Sequence, residues 1–337
     1  MDEEYYSANL DDNYSYEYTN ESNICEMGDY FIFNTYLTTV LYTLVFLLSL
    51  LGNTLVLWIL FKYENLTSLT NIFIMNLCVS DLVFSCMLPF WIVDQSFGWI
   101  FGEFLCKAVN AIFSIGYYSG VFFLTLMTIL RYLCVVNPLS TLRSQTKCYS
   151  FLVCLVVWTV SILIVVPEVI YTTVQENLEG DRTCDYADSK WKKVDIYLRN
   201  VLFLFSFGVI VFCYSKILII LLRARSRRKH RTVKLILIIV VAFFLCWAPY
   251  NILSFLISFP PPTCQYAKDS SLAFHISRNI AFSHCCLNPV LYVFIGVKFK
   301  RHLAQLCSHC SHCGNGQVSS PQICSQGKFQ HEGASIY

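Results

Sequence analysis

Charge is what this chain is short of. Of its 337 residues, 14% are Asp, Glu, Lys or Arg and 56% are apolar, whereas a soluble domain is about a quarter charged. That shortage excludes an ordinary water-soluble domain. The charge that remains is sorted by sign. The first 33 residues hold nine acids and no Lys or Arg, and residues 223–234 hold seven Lys or Arg and no acid, so the net charge of +2 averages two opposite surfaces. A basic region leading into an early apolar run is also missing, so no cleaved secretory signal is expected and the first apolar segment should act as its own insertion signal. No nucleophile–base pairing and no phosphate-cradling glycine loop is visible, so no enzyme is expected. Cysteine is abundant at 17, but most lie inside apolar runs, where the residue behaves as a small buried hydrophobe.

Seven apolar segments are long enough to cross a bilayer, at roughly 34–62, 69–93, 103–136, 148–168, 195–222, 233–259 and 271–296. Lipid leaves the backbone no partner but itself, so segments of this length and continuity are helices. The expected fold is an all-α membrane protein, a seven-transmembrane helix bundle with a short amphipathic eighth helix. An odd number of spans puts the two ends on opposite faces. Arg143 and Lys147, the ARSRRKHRTVK loop, and Lys298, Lys300 and Arg301 share one face, which the positive-inside rule makes cytoplasmic. The acidic N-tail, residues 1–33, is then extracellular, and two sequons there, Asn13 and Asn20, are glycosylation candidates. Asn65 also fits the pattern but falls in an inner loop. Residues 34–296 form the bundle. Residues 297–313, from VKFKRHL into a cysteine cluster, read as a helix lying on the inner membrane surface. The Gly-, Ser-, Gln- and Pro-rich residues 314–337 read as a disordered cytoplasmic tail.

The third segment organises the rest. Cys106 and Arg131 are 25 steps apart, about 37 Å along a helix, so they belong at opposite faces of a hydrocarbon core about 30 Å thick. Particular residues then fall one group to a span: Asn53 in LGN, Asp81 in NLCVSDL, Trp158, Pro249 in CWAP, and Asn288-Pro289-Val290-Leu291-Tyr292. With these, the chain resembles rhodopsin-like G-protein-coupled receptors across its membrane region. PFW, GWIFGEFLCK, CWAPYN and AFSHCCLNPVLYVFIGVKFKRHL are similar to chemokine receptors. LYTLVFLLSLLGNTLVLW, RSRRKHRTVKLI, SRNIAFSHCC and EGASIY are most similar to the XC-type, or lymphotactin-binding, subfamily.

That resemblance implies a plasma-membrane receptor for a lymphotactin-like chemokine. It would signal through a heterotrimeric inhibitory-class G protein to chemotaxis and calcium mobilisation, with arrestin as a further inner partner, no nucleic acid and no cofactor. It implies disulfides Cys106–Cys184 and Cys25–Cys264, which an oxidising exterior permits. Tyr14, Tyr16 and Tyr18, flanked by acids, suit sulfation and contact with a basic ligand, and the acidic tail would steer such a ligand inward. Trp91, Phe113, Tyr117 and Tyr250 would line a ligand cavity with Trp247 at its floor, although an aromatic stripe on a membrane helix is by itself more often packing. Asp81, Trp247, Asn288, Pro289 and Tyr292 would form the activation switch. Arg131, Tyr132 and Tyr214 would serve G-protein coupling. Cys307, Cys310 and Cys313, interleaved with His309 and His312, fit zinc by ligand type, but a juxtamembrane cytosolic setting favours palmitoylation. Ser319, Ser320, Ser325 and Ser335 are sparse phosphorylation candidates.

The departures from the family pattern are as informative. Leu130 stands where the family has a carboxylate beside Arg131, so the arginine lacks its usual ion-pair partner. Asp81 is expected to bond Asn53 and Asn288. Relatives hold sodium at this acid, but Gly116, Gly120, His284 and Cys285 stand where they offer oxygens, so no metal is expected. Ser206 replaces a proline of the fifth span, which should therefore run straighter. Arg278 stands where many chemokine receptors have a glutamate, and should receive a polar or acidic ligand group or pair with an outer acid such as Glu168. Two other readings are an atypical, chemokine-scavenging receptor without G-protein coupling, suggested by Leu130, and a transporter or channel, for which no inverted repeats or broken helices are visible. Arg278→Ala is expected to weaken chemokine binding and signalling. Dose–response curves matching those of the parent receptor would remove any role for that charge.

Overall fold

The computed structural model describes residues 28–64, 66, 68–136, 147–176, 182–224, 227–260 and 263–295. The apolar segments form helices, as a medium without water requires. The described helices are α1 (Gly28–Tyr63), α2 (Leu69–Ser85), α3 (Leu88–Phe97), α4 (Gly102–Val136), α5 (Lys147–Tyr171), α6 (Ser189–Ala224), α7 (Arg227–Ile257), α8 (Cys264–Phe282) and α9 (His284–Ile295). Among the described residues, six spans are long and apolar enough to cross a bilayer: Thr35–Tyr63, Leu69–Phe97, Gly102–Val136, Tyr149–Tyr171, Ser189–Ile220 and Leu237–Ile257. The second of these is α2 continued by α3. The seventh is α8 continued by α9, and it carries Lys268, Asp269, His275 and Arg278 along its outer half.

The break between α2 and α3 has a local cause. Between α2 and α3 the ladder tightens, with Cys86 N donating to Leu82 O at 2.9 Å and Met87 N to Phe84 O at 3.1 Å. Pro89 then falls in the first turn of α3, where its missing N–H is no loss. Pro167, Pro249 and Pro289 lie inside α5, α7 and α9. By contrast, α6 runs unbroken for 36 residues, with Ser206 buried along it. α6 begins at Ser189 and α8 at Cys264, each several residues before the apolar run. These first turns are polar because they stand outside the hydrocarbon, so hydropathy misses them. Thr263 starts α8 by accepting from Tyr266 N at 3.2 Å.

α4 occupies the centre, touching α2, α5, α6, α7 and the strand that follows α5. Small residues set the closest approaches. A Cβ on Gly116 would meet Phe84 at 3.0 Å, and one on Gly52 would meet the Pro289 ring at 2.7 Å. The LGN glycine thus lets α1 seat against the proline of α9. Alanine is the better helix former by up to about 1 kcal/mol, but overpacking costs about 1–3 kcal/mol. Gly52→Ala is therefore expected to lower the Tm of the detergent-solubilised protein. A Tm equal to or above that of the parent would show that the contact is loose.

Candidate functional site

A cavity of about 460 Å³ opens at the Cys106 end of the bundle. Trp91 from α3, Phe113 from α4, Tyr250 from α7 and Arg278 from α8 line it together. Tyr117 does not line it. Lying one turn, about 6 Å, further along α4 than Phe113, it is buried beneath the cavity with its ring 4.3 Å from Trp247. Trp247 is fully buried at the same level, packed edge-on to Phe84, Tyr250 and His284 at 5.9, 5.6 and 5.2 Å. The two form an aromatic floor rather than a wall.

Over the cavity lies a hairpin that was not foreseen. Strands β1 (Thr172–Glu176) and β2 (Arg182–Tyr186) pair antiparallel, with Val174 opposite Cys184. The Cys106–Cys184 disulfide ties β2 to the head of α4. Asn110 Nδ2 lies 3.0 Å from the Cys184 sulfur. Glu103, one turn before Cys106, accepts from Val174 N at 2.8 Å and from Thr173 Oγ1 at 3.1 Å. On the other strand, Trp99 N donates to Arg182 O at 2.6 Å. Gly98 takes φ +69° beside that carbonyl, where a side chain would be strained. GWIFGEFLCK therefore works as an anchor plate. Burial in the hairpin pushes the Tyr186 phenol up, so it stays neutral.

The cavity wall carries charge of both signs. Arg199 pairs with Asp195 at 2.8 Å and reaches the Tyr250 hydroxyl at 3.3 Å. Lys192 pairs with Asp185. Arg278 Nη2 lies 3.3 Å from His275 Nδ1. Glu168, from α5, lines the same cavity and is 7% exposed.

Below the aromatic floor is a polar core. Asn288 Nδ2 donates to Asp81 Oδ2 at 2.7 Å, joining α9 to α2. Asn53 does not reach Asp81. Its Nδ2 donates to Cys285 O at 2.9 Å and to Ser49, so it holds the backbone of α9 instead. His284 Nδ1 lies 2.7 Å from Ala281 O, which turns Nε2 toward Asp81 Oδ1 at 3.6 Å. An imidazole and a thiol beside the carboxylate are poor company for a hard cation that prefers oxygen, so the donor set does not fit sodium.

At the C-terminal end of α4, Arg131 Nη2 donates to Thr70 Oγ1 at 3.1 Å. Its Nε is buried without a partner among the described residues. A hydroxyl from α2 thus stands where a carboxylate was missing. Tyr132 packs on Phe212 at 6.2 Å, and the Tyr214 hydroxyl is buried nearby on α6. Several candidates lie outside the described residues: Asn13, Tyr14, Tyr16, Tyr18, Asn20, Cys25, the side chains of Cys264 and Tyr292, and Cys307, Cys310 and Cys313. Glu103 and Thr70 went unnoticed in the sequence, because neither departs from what a helix's first turn tolerates.

Comparison with known proteins bears on these placements. The profile described as 7 transmembrane receptor (rhodopsin family) matches residues 52–292. Human Chemokine XC receptor 1 is 50% identical over 98% of this chain and 99% of its own length. The mouse protein of the same name is 48% identical over 96% and 98%. Human C-C chemokine receptor type 4 is 36% identical over 83% and 82%.

The contact between Arg131 and Thr70 is a hydrogen bond to a charged group, worth about 1.5–3 kcal/mol. Removing it with Thr70→Ala is expected to raise ligand-independent nucleotide exchange on a coupled G protein several-fold, and Leu130→Asp to lower it. Equal basal exchange in the parent and both variants would show that neither group restrains the arginine.

Proposed function

The chain belongs to the rhodopsin family of seven-transmembrane receptors and, within it, to the chemokine receptors, and from that premise we propose that it is a receptor for a lymphotactin-like, C-type chemokine. The carrying observation is identity at 50% along nearly the whole chain to Chemokine XC receptor 1. As a member of that family it is a non-enzymatic membrane receptor that signals through G proteins. Coupling to the inhibitory class, recruitment of arrestin, and a plasma-membrane placement with the N-terminus outside belong to the proposal.

The geometry suits this reading at three levels. The hairpin and disulfide give a rigid rim over a cavity open to the outside. Trp247 and Tyr117 couple that cavity to the packing between α4 and α7. The Asp81–Asn288 bond and the Arg131–Thr70 contact are the polar joints through which a shift of α7 and α9 would reach the inner face. Ligand binding would bias a two-state equilibrium by its differential affinity for the two arrangements.

The absent carboxylate at Leu130 keeps a second reading in play: a receptor that takes up chemokine without G-protein coupling. Binding of a labelled C-type chemokine, measured against a panel of two-cysteine chemokines, with cyclic-AMP and calcium recorded in parallel, separates the cases. Selective binding with a pertussis-toxin-sensitive fall in cyclic AMP is expected. Uptake without either response would favour the scavenger, and absence of chemokine binding would overturn the receptor assignment.

A further inference from the structure

The stretch that anchors the hairpin has a second face. Trp99 and Glu103 hold the strands, through Arg182 O at 2.6 Å and Val174 N at 2.8 Å. Phe101 turns inward with them, its ring 5.2 Å from Trp99 and 5.1 Å from Phe90. Phe97, Ile100 and Phe104 alternate with these residues and point out of the fold. Phe104 at 80% and Phe97 at 77% are the two most exposed large apolar side chains among the described residues, and Ile100 is 64% exposed. Large apolar side chains concentrated in so short a segment mark a surface that something else covers.

Their place in the bundle says what covers them. Phe97 is the last residue of the span Leu69–Phe97, and Phe104 is the third of the span Gly102–Val136. Only residues 98–101 join the two, and four residues reach at most about 14 Å when fully extended. A link that short cannot carry its side chains clear of the boundary between hydrocarbon and water. Further along α4, Ile112 lies about 12 Å beyond Phe104 on the same helical face and is also exposed. Phe104 therefore continues the lipid-facing side of that helix. Beside it, Glu103 and Lys107 pair at 3.3 Å with both side chains partly in solvent. Aromatic and aliphatic groups edged by charge at the end of a span are the composition of segments that lie at the headgroup level.

We propose that Phe97, Ile100 and Phe104 form a foot embedded in the bilayer leaflet at the Cys106 end, with phospholipid as its partner. The anchor plate then grips the hairpin with one face and the membrane with the other, which sets the depth of the cavity rim relative to the lipid surface. This rests on the reading of the chain as a membrane receptor, and it holds whichever ligand the cavity takes.

The test uses the full-length receptor in phospholipid nanodiscs without chemokine. An environment-sensitive fluorescent amino acid is introduced in place of Phe97, Ile100 or Phe104, one at a time. Its quenching by lipid brominated near the top of the acyl chain is compared with quenching by iodide in the buffer. Two reference positions set the scale: Leu48, exposed midway along α1, and Lys190, exposed in the first turn of α6. At the three foot positions brominated lipid is expected to lower emission roughly twofold or more, as at Leu48, while iodide quenches only at Lys190. Quenching by iodide alone would put the stretch in water, and quenching by neither would put it against protein. Either result overturns the proposal and leaves the family assignment intact. Absence of lipid quenching at Leu48 would instead overturn the membrane placement on which the receptor reading rests. The double variant Phe97→Ser, Phe104→Ser, which keeps every hairpin contact, gives an independent measurement. Amide exchange of the two strands in nanodiscs is expected to rise several-fold, and unchanged exchange would show that the membrane does not hold the plate.

Discussion

The bond from Asn288 to Asp81, at 2.7 Å, is the joint on which the middle of the bundle depends. A carboxylate at mid-membrane is expensive and is kept only where it has partners. Here the partners come from α9, and α9 is itself held by Asn53 through the Cys285 carbonyl and seated on Gly52 through Pro289. Three helices therefore meet at one polar point with little room for adjustment. His284 belongs to the same group, and its ring also touches Trp247 and Phe243. The imidazole is what links the polar joint to the aromatic floor above it. A displacement of Trp247 by anything in the cavity is thus felt at Asp81 through one intervening side chain.

The outer cavity owes its shape to a second constraint of different kind. The disulfide alone would leave the hairpin free to pivot about Cys184. Glu103 on β1 and the Trp99 amide on β2 add one contact on each side of that pivot, so the sheet is fixed in orientation as well as in distance. All of these anchors come from the short stretch 98–106. The result is a rim whose backbone is committed before any ligand arrives, which spares a binding partner the cost of ordering it. The charged side chains beneath then act as a fixed pattern rather than as mobile tethers, because Asp195 holds Arg199 and Asp185 holds Lys192.

The spans were legible because hydropathy and length are strong signals in lipid, and the residues that fall one to a helix are distinctive enough to give the family. The grouping of Trp91, Phe113, Tyr250 and Arg278 around one cavity was implied by the family resemblance, since an aromatic stripe on a membrane helix reads first as packing. What could not be read was whatever depended on the facing element. Tyr117 is one turn from Phe113, and only the packing of α7 shows that it lies under the cavity. Asn53 is near enough to suggest a bond to Asp81, yet it turns to a backbone carbonyl that no side-chain pattern reveals. The hairpin was missed because TTVQE and RTCDY are short and polar, stabilised by one another and by α4 rather than by a buried apolar face. Thr70 carries no hint of its role until Arg131 is seen beside it.

The third span connects both ends. Cys106 fixes its outer end covalently, and along its length Phe113, Tyr117 and Arg131 meet in turn the cavity, the aromatic floor and the inner latch. The restraints at its two ends differ greatly in strength. A disulfide does not open on the timescale of signalling, whereas the contact of Arg131 with Thr70 is a single hydrogen bond. Any rearrangement driven from the cavity must therefore appear at the inner end, where yielding is cheapest. Leu130 makes that end weaker still, since an ion pair in its place would have opposed release. On the proposed receptor reading, asymmetry of restraint, rather than any single switch residue, would give α4 a direction of transmission.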